Sequence, residues 1–368
     1  MTPTLTLWPV PAAPRGVYHP AAPSQIGALE SAFEKIYAST ACVLFPSGRA
    51  ALTAALEYFG MTRTHHVLVA DFSSHCVLEA VARFAMPTLT RTTATKLFIA
   101  NHQWGYVTRL LQEDASATGA LRGGKVGKLQ PVAEGKLRGS DESFRACFHP
   151  ALPVEGALLA PVIEDGCDSL LCNSAALFPN HGACELLSLP KIFGTAFGGL
   201  LLCRDVAMKN ALIEIRARRD PRLGEIQYLL RQRGLDGDAF SYALWEGSES
   251  LNGHLAASAI DDIAQQLDTL PALIRHKRQR LQTIRDAQFA PLREVAADSP
   301  RLPVVVPLTL DTAHVTQLTN AGFVPLIRHF HQGTNMVPGT FVPSLLLPIH
   351  QGVSDADFDR IVTLLHEK

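Results

Sequence analysis

The sequence predicts an α/β chain with a mostly parallel central sheet flanked by helices, followed by a small C-terminal α+β unit. Three observations carry this. Short apolar runs alternate with amphipathic stretches of helical period, polar residues gather where the runs end, and from Leu302 onward shorter strand and helix signals succeed one another. At 368 residues the chain is too long for one simple core. A large domain (1–270) and a small one (271–368) are therefore expected, meeting near Leu270. No internal repeat is visible.

Ser24 is placed to cap a first helix whose Ile26, Leu29, Phe33 and Ile36 recur at spacings of three and four. A strand-like run, Cys42 to Phe45, meets Pro46-Ser47-Gly48-Arg49, and a second helix carries Leu52, Leu56 and Phe59 to a stop at Gly60. Run, turn and helix start together suit an anion, because the first amides point outward and the helix dipole favours a phosphate. Val67 to Ala70 is a buried strand, and the polar turn Asp71-Phe72-Ser73-Ser74-His75-Cys76 follows it. The helix Val77 to Phe84 returns the chain to the strand Lys96 to Ala100, which ends in Asn101-His102-Gln103-Trp104-Gly105. In sheets of this kind ligands sit beyond the carboxyl ends of the strands.

Residues 113–155 break the rhythm, with six glycines interleaved among Arg122, Lys125, Lys128, Lys136 and Arg138. The composition reads as a solvated insertion, with a lid over a phosphorylated substrate as the alternative. The sheet resumes with Leu158 to Glu164, Cys184 to Leu187 and Gly199 to Cys203. Val206 to Arg219 and Leu251 to Leu270 are helical, Pro271 should end or kink the second of these, and helical character continues from Leu273 to Arg285. The tail offers a strand from Leu302 to Val306, a helix from Ala313 to Asn320, a strand from Leu345 to Ile349 and a closing helix from Asp355 to Leu365.

Composition narrows the function classes. Hydrophobic residues make up 47% and charged residues 18%, which excludes global disorder. A net charge of -1 gives no electrostatic reason to expect nucleic acid or an anionic membrane as partner. Seven cysteines without CxxC pairs point to a reducing compartment, and Cys167 and Cys172, five apart, read as buried thiols rather than metal ligands. The Pro-rich start lacks the charge and apolar core of a signal peptide, and no apolar run approaches the ~20 residues of a membrane span. A cytoplasmic protein is expected.

The chemistry centres on Ser188-Leu-Pro-Lys191, which follows a buried strand and precedes the Gly198-Gly199 pair. A lysine at such a position loses its charge readily if desolvated, which makes it a candidate Schiff-base former. Upstream, Pro161-Val-Ile-Glu-Asp165 is a second buried strand with carboxylates at its end. Pyridoxal phosphate needs a lysine to hold it, a carboxylate on its ring nitrogen, a phosphate cup, a group stacked on its ring and a contact to its phenolic oxygen. Lys191, Asp165, the turn Ser47-Gly48-Arg49, and Phe72 or His75 supply the first four. His102, Trp104, Asn252 and His254 are candidates for lining the pocket, with a structural role for each the more ordinary reading.

Ser47-Gly-Arg-Ala-Ala-Leu52, Ile163-Glu-Asp165, Ser188-Leu-Pro-Lys191 and Gly198-Gly199, in this order and spacing, resemble the nucleotide-sugar aminotransferases of the DegT/DnrJ/EryC1/StrS type. The resemblance runs from about Leu29 to the end of the chain and leaves out residues 113–155. It implies a fold-type-I pyridoxal phosphate enzyme, usually a homodimer with its sites at the subunit interface. Lys191 would hold the cofactor and move the proton, and Asp165 would pair with the pyridinium. The Gly48 and Arg49 amides with the Ser188 hydroxyl would bind the phosphate, and a residue of the Phe72 to His75 turn would stack on the ring. The implied reaction moves an amino group from an amino acid such as glutamate to a keto-sugar on a nucleotide carrier.

The chain departs from the pattern in two residues besides the insertion. Asp168 stands three after Asp165, where the family often has Gln or His, and would repel the phenolic oxygen unless protonated or turned away, so Ser169 is the alternative contact. Ser188 is three residues before the lysine rather than five. Other pyridoxal phosphate chemistry, such as dehydration or lyase action, and a non-catalytic ligand-binding relative are the competing readings.

Overall fold

The apolar runs become strands because each is short and bounded by turn residues, while the amphipathic stretches between them cover the sheet. The computed structural model describes residues 5–38, 40–70, 73–108, 110–113, 152–155, 160–238, 241–332 and 340–366. Phe72 and most of the stretch 113–155 lie outside the described residues.

In chain order the strands are β1 (Ala41–Phe45), β2 (His66–Val69), β3 (Met86–Thr88), β4 (Thr95–Asn101), β5 (Leu110–Glu113), β6 (Leu152–Glu155), β7 (Val162–Asp165), β8 (Ser169–Leu171), β9 (Cys184–Ser188), β10 (Gly199–Cys203), β11 (Arg301–Pro303), β12 (Val305–Thr309), β13 (Ile327–Gln332) and β14 (Thr340–Pro348). The helices are α1 (Pro23–Ile36), α2 (Gly48–Tyr58), α3 (His75–Phe84), α4 (Leu189–Phe193), α5 (Val206–Ala217), α6 (Arg222–Leu235), α7 (Tyr242–Leu251), α8 (Ala257–Asp268), α9 (Leu270–Asp286), α10 (Thr312–Asn320) and α11 (Asp355–His366).

Seven strands form the central sheet in the order β1-β10-β9-β7-β4-β2-β3. From β9 to β3 every neighbour is parallel, whereas β10 runs antiparallel to both β9 and β1. β1, β9 and β10 are buried along their whole length, as strands covered on both faces must be. A three-stranded sheet, β12-β14-β13, belongs to the C-terminal part. The pair β8-β11 ties that part to the turn after β7.

Three local expectations change. The first helix starts at Pro23 with Ala22 as its cap, because Pro23 fits the first helical turn and the Gln25 side chain accepts from the Ala22 amide at 2.8 Å. The helix expected from Leu251 starts only at Ala257. A β-carbon on Gly253 would come 2.4 Å from the Arg216 carbonyl oxygen, so the backbone there runs too close to α5 for a helix to continue. Pro271 begins a helix rather than ending one, in the first turn of α9 where its missing amide costs nothing.

Candidate active site

Register brings the functional positions to one edge of the sheet. Phe45 at the end of β1 pairs with Gly199, which pairs with Ser188 at the end of β9. Asn101 at the end of β4 pairs with Asp165 at the end of β7, and Asp165 pairs with Leu186 of β9. The turn into α2, the turn into α4 and the ends of β4 and β7 therefore open onto the same space. It is a cavity of about 380 Å³ whose lining includes Ser47, Gly48, Arg49, Asp165, Ser188 and Lys191.

The Gly198-Gly199 pair makes this convergence possible. The Gly198 amide donates to the Pro46 carbonyl at 2.7 Å, and a β-carbon on Gly199 would lie 2.1 Å from the Ser47 carbonyl oxygen. Only glycine lets β10 approach the turn so closely. Ser47 caps α2 by accepting from the Ala50 amide at 3.1 Å. This leaves the Gly48 and Arg49 amides as the first two of the helix, with no carbonyl partner inside it. A side chain on Gly48 would come 3.3 Å from the Cys167 sulfur, so glycine keeps that corner open.

Asp165 is 5% exposed; its Oδ2 accepts from the Asn101 side chain at 3.0 Å and its Oδ1 from the Cys167 amide at 3.2 Å. Burial raises its carboxyl above the usual range, against the lowering pull of Lys191. Lys191 sits on α4 rather than at the strand end, because Pro190 starts a short helix that left-handed Gly194 closes. Its Nζ lies 3.0 Å from Asp168 Oδ1 and 4.6 Å from the centre of the Trp8 ring. The expectation of an easily discharged amine is reversed here. Burial does oppose the charge, but Asp168 foremost, with Cys167, Cys76 and Asp165, raises the amine above its ordinary value.

Other expected positions are placed as follows. Ser188 lines the cavity and its hydroxyl caps nothing in α4. His75 opens α3 with its ring 70% exposed and Nδ1 3.2 Å from Glu246, outside the cavity lining, whereas its neighbours Ser74 and Cys76 are in it. Ser169 accepts from Arg301 Nη1 at 2.9 Å in the interior and does not line the cavity, while Asp168 does. His102 pairs with Glu164 at 3.1 Å, both fully buried, and His254 Nε2 meets the Arg219 carbonyl at 2.8 Å; neither lines the cavity. Trp104 lines it, with a left-handed backbone (φ 54) that a bulky residue seldom takes without a local demand.

The Arg49 side chain is occupied by the protein itself. It lies 2.7 Å from Glu249, 3.6 Å from Glu246 and 3.6 Å from Glu79. Glu249 also lines the cavity, and burial pushes its carboxyl up against the pull of Arg49 and Arg231. Trp8, Arg231, Trp245 and Glu249 escaped the sequence reading. The spacing of Trp245 and Glu249, one turn apart on a helix, was the available signal for two of them.

A family model described as "Putative PLP-dependent aminotransferase" matches residues 29–116 and 154–366. The chain belongs to this family of pyridoxal-phosphate-dependent aminotransferases. The match passes over the stretch read as an insertion. No curated protein sequence matches the chain. Among solved structures, the aminotransferase TlmJ from Streptoalloteichus hindustanus superposes with a TM-score of 0.58 at 15% identity, covering 95% of this chain and 91% of that one. DesI, solved in the presence of its TDP-sugar product, gives 0.59 at 13% identity over 95% of this chain and 86% of its own. A DegT DnrJ EryC1 StrS aminotransferase from Brucella abortus gives 0.57 at 14%, covering 95% of this chain and 92% of its own. The aminotransferase shares the fold of these enzymes, and pyridoxal phosphate is its cofactor.

The residues present fit that cofactor in three respects: a lysine in the cavity, a buried carboxylate lining it, and a glycine-lined helix start whose first two amides have no partner inside the helix. Glu249, a carboxylate beside the same helix start, opposes an anion there.

Proposed function

We propose that this aminotransferase moves an amino group from an amino acid such as glutamate to a keto-sugar carried on a nucleotide, in amino-sugar or surface-polysaccharide biosynthesis. The observation that carries the reading is the convergence of Lys191, Asp165 and the start of α2 on one cavity at one sheet edge. Support for the sugar comes from the shared fold with DesI, whose structure was solved with its TDP-sugar product. We also propose a cytoplasmic homodimer, and a division of each chain into residues 1–270 and 271–368.

In this reading Lys191 Nζ would hold the cofactor and Asp165 would pair with its ring nitrogen. Asn101 and the Cys167 amide keep the Asp165 carboxylate in one orientation, so it meets the ring as a fixed negative group. The Gly48 and Arg49 amides and the Ser188 hydroxyl would hold its phosphate. The stacking group comes from the turn of residues 72 to 75. When bound, the cofactor supplies an electron sink for the carbon that loses its proton. Lys191 Nζ, freed by the incoming amino donor, would take that proton and return it two bonds away, to the carbon on the other side of the nitrogen. The walls formed by Trp8 and Trp104 keep water from the reacting atoms.

The test has two stages. Purified protein is mixed with pyridoxal phosphate and reduced with borohydride, and the Lys191 peptide should carry the added mass. A panel of amino acids is then offered, and glutamate should convert the bound cofactor to its amine form, which a nucleotide-linked keto-sugar should discharge. Conversion by no amino acid would sink the transaminase reading, and discharge only by keto acids would remove the sugar.

A further inference from the structure

We infer that Asp168 is a positioning residue for Lys191: its carboxylate holds the side-chain amine as an ammonium and so sets the pH range over which the lysine takes up the cofactor. The inference rests on the reading of Lys191 as the attachment point.

Asp168 lies in the turn between β7 and β8, and its Oδ1 is 3.0 Å from Lys191 Nζ, with the two side chains 18% and 21% exposed. The turn that carries it is fixed on three sides. The Gly166 amide donates to the Leu186 carbonyl at 2.9 Å, the Ser169 amide donates to the Gly166 carbonyl at 2.9 Å, and Arg301 holds the Ser169 hydroxyl. Gly105 packs so close that a β-carbon there would lie 2.5 Å from the Asp168 carbonyl oxygen. The carboxylate is therefore presented by a backbone with little room to withdraw. The lysine is held from its own side by the short α4 and by the face of Trp8.

The titratable groups facing Nζ are Asp168, Asp165 and Cys167 from the end and turn of β7, and Cys76 from α3. Burial favours the neutral amine and Asp168 opposes it most strongly, with the net effect toward the charged form. Lys191 takes up pyridoxal phosphate only after yielding a proton. Its nitrogen then adds to the aldehyde carbon, a C–N bond forms, and the aldehyde oxygen leaves as water with two protons that the ammonium carried. Ammonium plus aldehyde thus gives protonated imine plus water, without oxidant or reductant. Solvent takes up the first of those protons, against the hold of Asp168, and a proton from solvent completes the departing water. Each pH unit by which the pair holds the ammonium cuts the reactive fraction about tenfold.

The experiment mixes cofactor-free wild type, Asp168→Asn and Asp168→Glu with pyridoxal phosphate between about pH 6 and 10, a window spanning the ordinary lysine range. Capture is followed by imine absorbance and by the mass of the reduced Lys191 peptide. The wild-type rate should climb throughout the window. Asp168→Asn should level off inside it and capture at least ~10-fold faster near neutral pH, and Asp168→Glu should track the wild type. Identical pH profiles for wild type and Asp168→Asn would overturn the role of Asp168 while leaving Lys191 in place. Absence of a reduced Lys191 adduct in the wild type would overturn the attachment point itself. Should Asp168→Asn not fold, acetylation of Lys191 in cofactor-free wild type reads its titration directly. A midpoint at or below the free-lysine value of about 10.4 overturns the inference, and one above it supports it.

Discussion

The two walls of the cavity hold their charges in different ways. On the wall made by the ends of β7 and β9, Lys191 has one close counter-ion in Asp168, and Asp165 is steadied by the neutral Asn101 and a backbone amide. On the wall where α2 begins, Arg49 is gripped by Glu79 of α3 and by Glu246 and Glu249 of α7, with 7% of its side chain exposed. A charge with one partner can exchange it for a substrate. A charge buried among three carboxylates is fixed, because withdrawing the guanidinium would leave those carboxylates unpaired in the interior. The first wall has the arrangement of a reacting surface, and the side chains of the second that of a joint between helices.

The largest effect that would sharpen this contrast is on the first wall. Lys191→Ala should lower transamination by about 10³-fold or more while leaving the unfolding midpoint close to wild type, measured by steady-state rates beside a denaturant titration. Arg49→Ala should do the opposite. Removing one partner of the buried cluster should cost about 3–5 kcal/mol in urea unfolding, and an unchanged midpoint would mean that the cluster is not a joint. Gly199→Ala tests the contact between the walls. Its β-carbon would strike the Ser47 carbonyl, so overpacking of about 1–3 kcal/mol is expected, with weakened phosphate binding by calorimetry.

The smallest effect concerns Glu249. Removing its charge in Glu249→Gln should tighten pyridoxal phosphate binding by about tenfold, ~1.4 kcal/mol, in equilibrium dialysis. The pH dependence has a definite sign. A carboxyl whose folded pKa is raised takes up protons more readily folded than unfolded, so its contribution to stability is present below the unfolded value and lost as pH rises through the folded one. Glu249→Gln should therefore gain stability over wild type at neutral pH, and the gain should vanish in acid.

The individual strands and the residues at their ends were legible because the evidence for them is local. The run Ala41–Phe45, the Ser47 cap and the glycine pair each declare themselves within a few positions, and register does the rest. Lys191 and Asp165, which line one cavity, stand out in the sequence for the same reason. What stayed hidden depends on partners far along the chain. Arg49 meets Glu249 across 200 residues, and Trp8 reaches Lys191 from an N-terminal stretch with no periodic pattern to mark it. The charge state of Lys191 was misjudged on the same ground, since burial was readable from the strand but the counter-ion was not. The helix break before Ala257 depends on the close passage of Gly253 to α5, a packing fact that propensity does not contain.

The chain has three tryptophans, Trp8, Trp104 and Trp245, and all three line the cavity. Indole emission from this protein accordingly originates at its site and nowhere else. A bound molecule that absorbs where indole emits will dim that light, and one that only displaces water will shift its colour. The enzyme thus carries its own optical gauge of occupancy, with one lamp on the N-terminal segment, one at the end of β4 and one on α7.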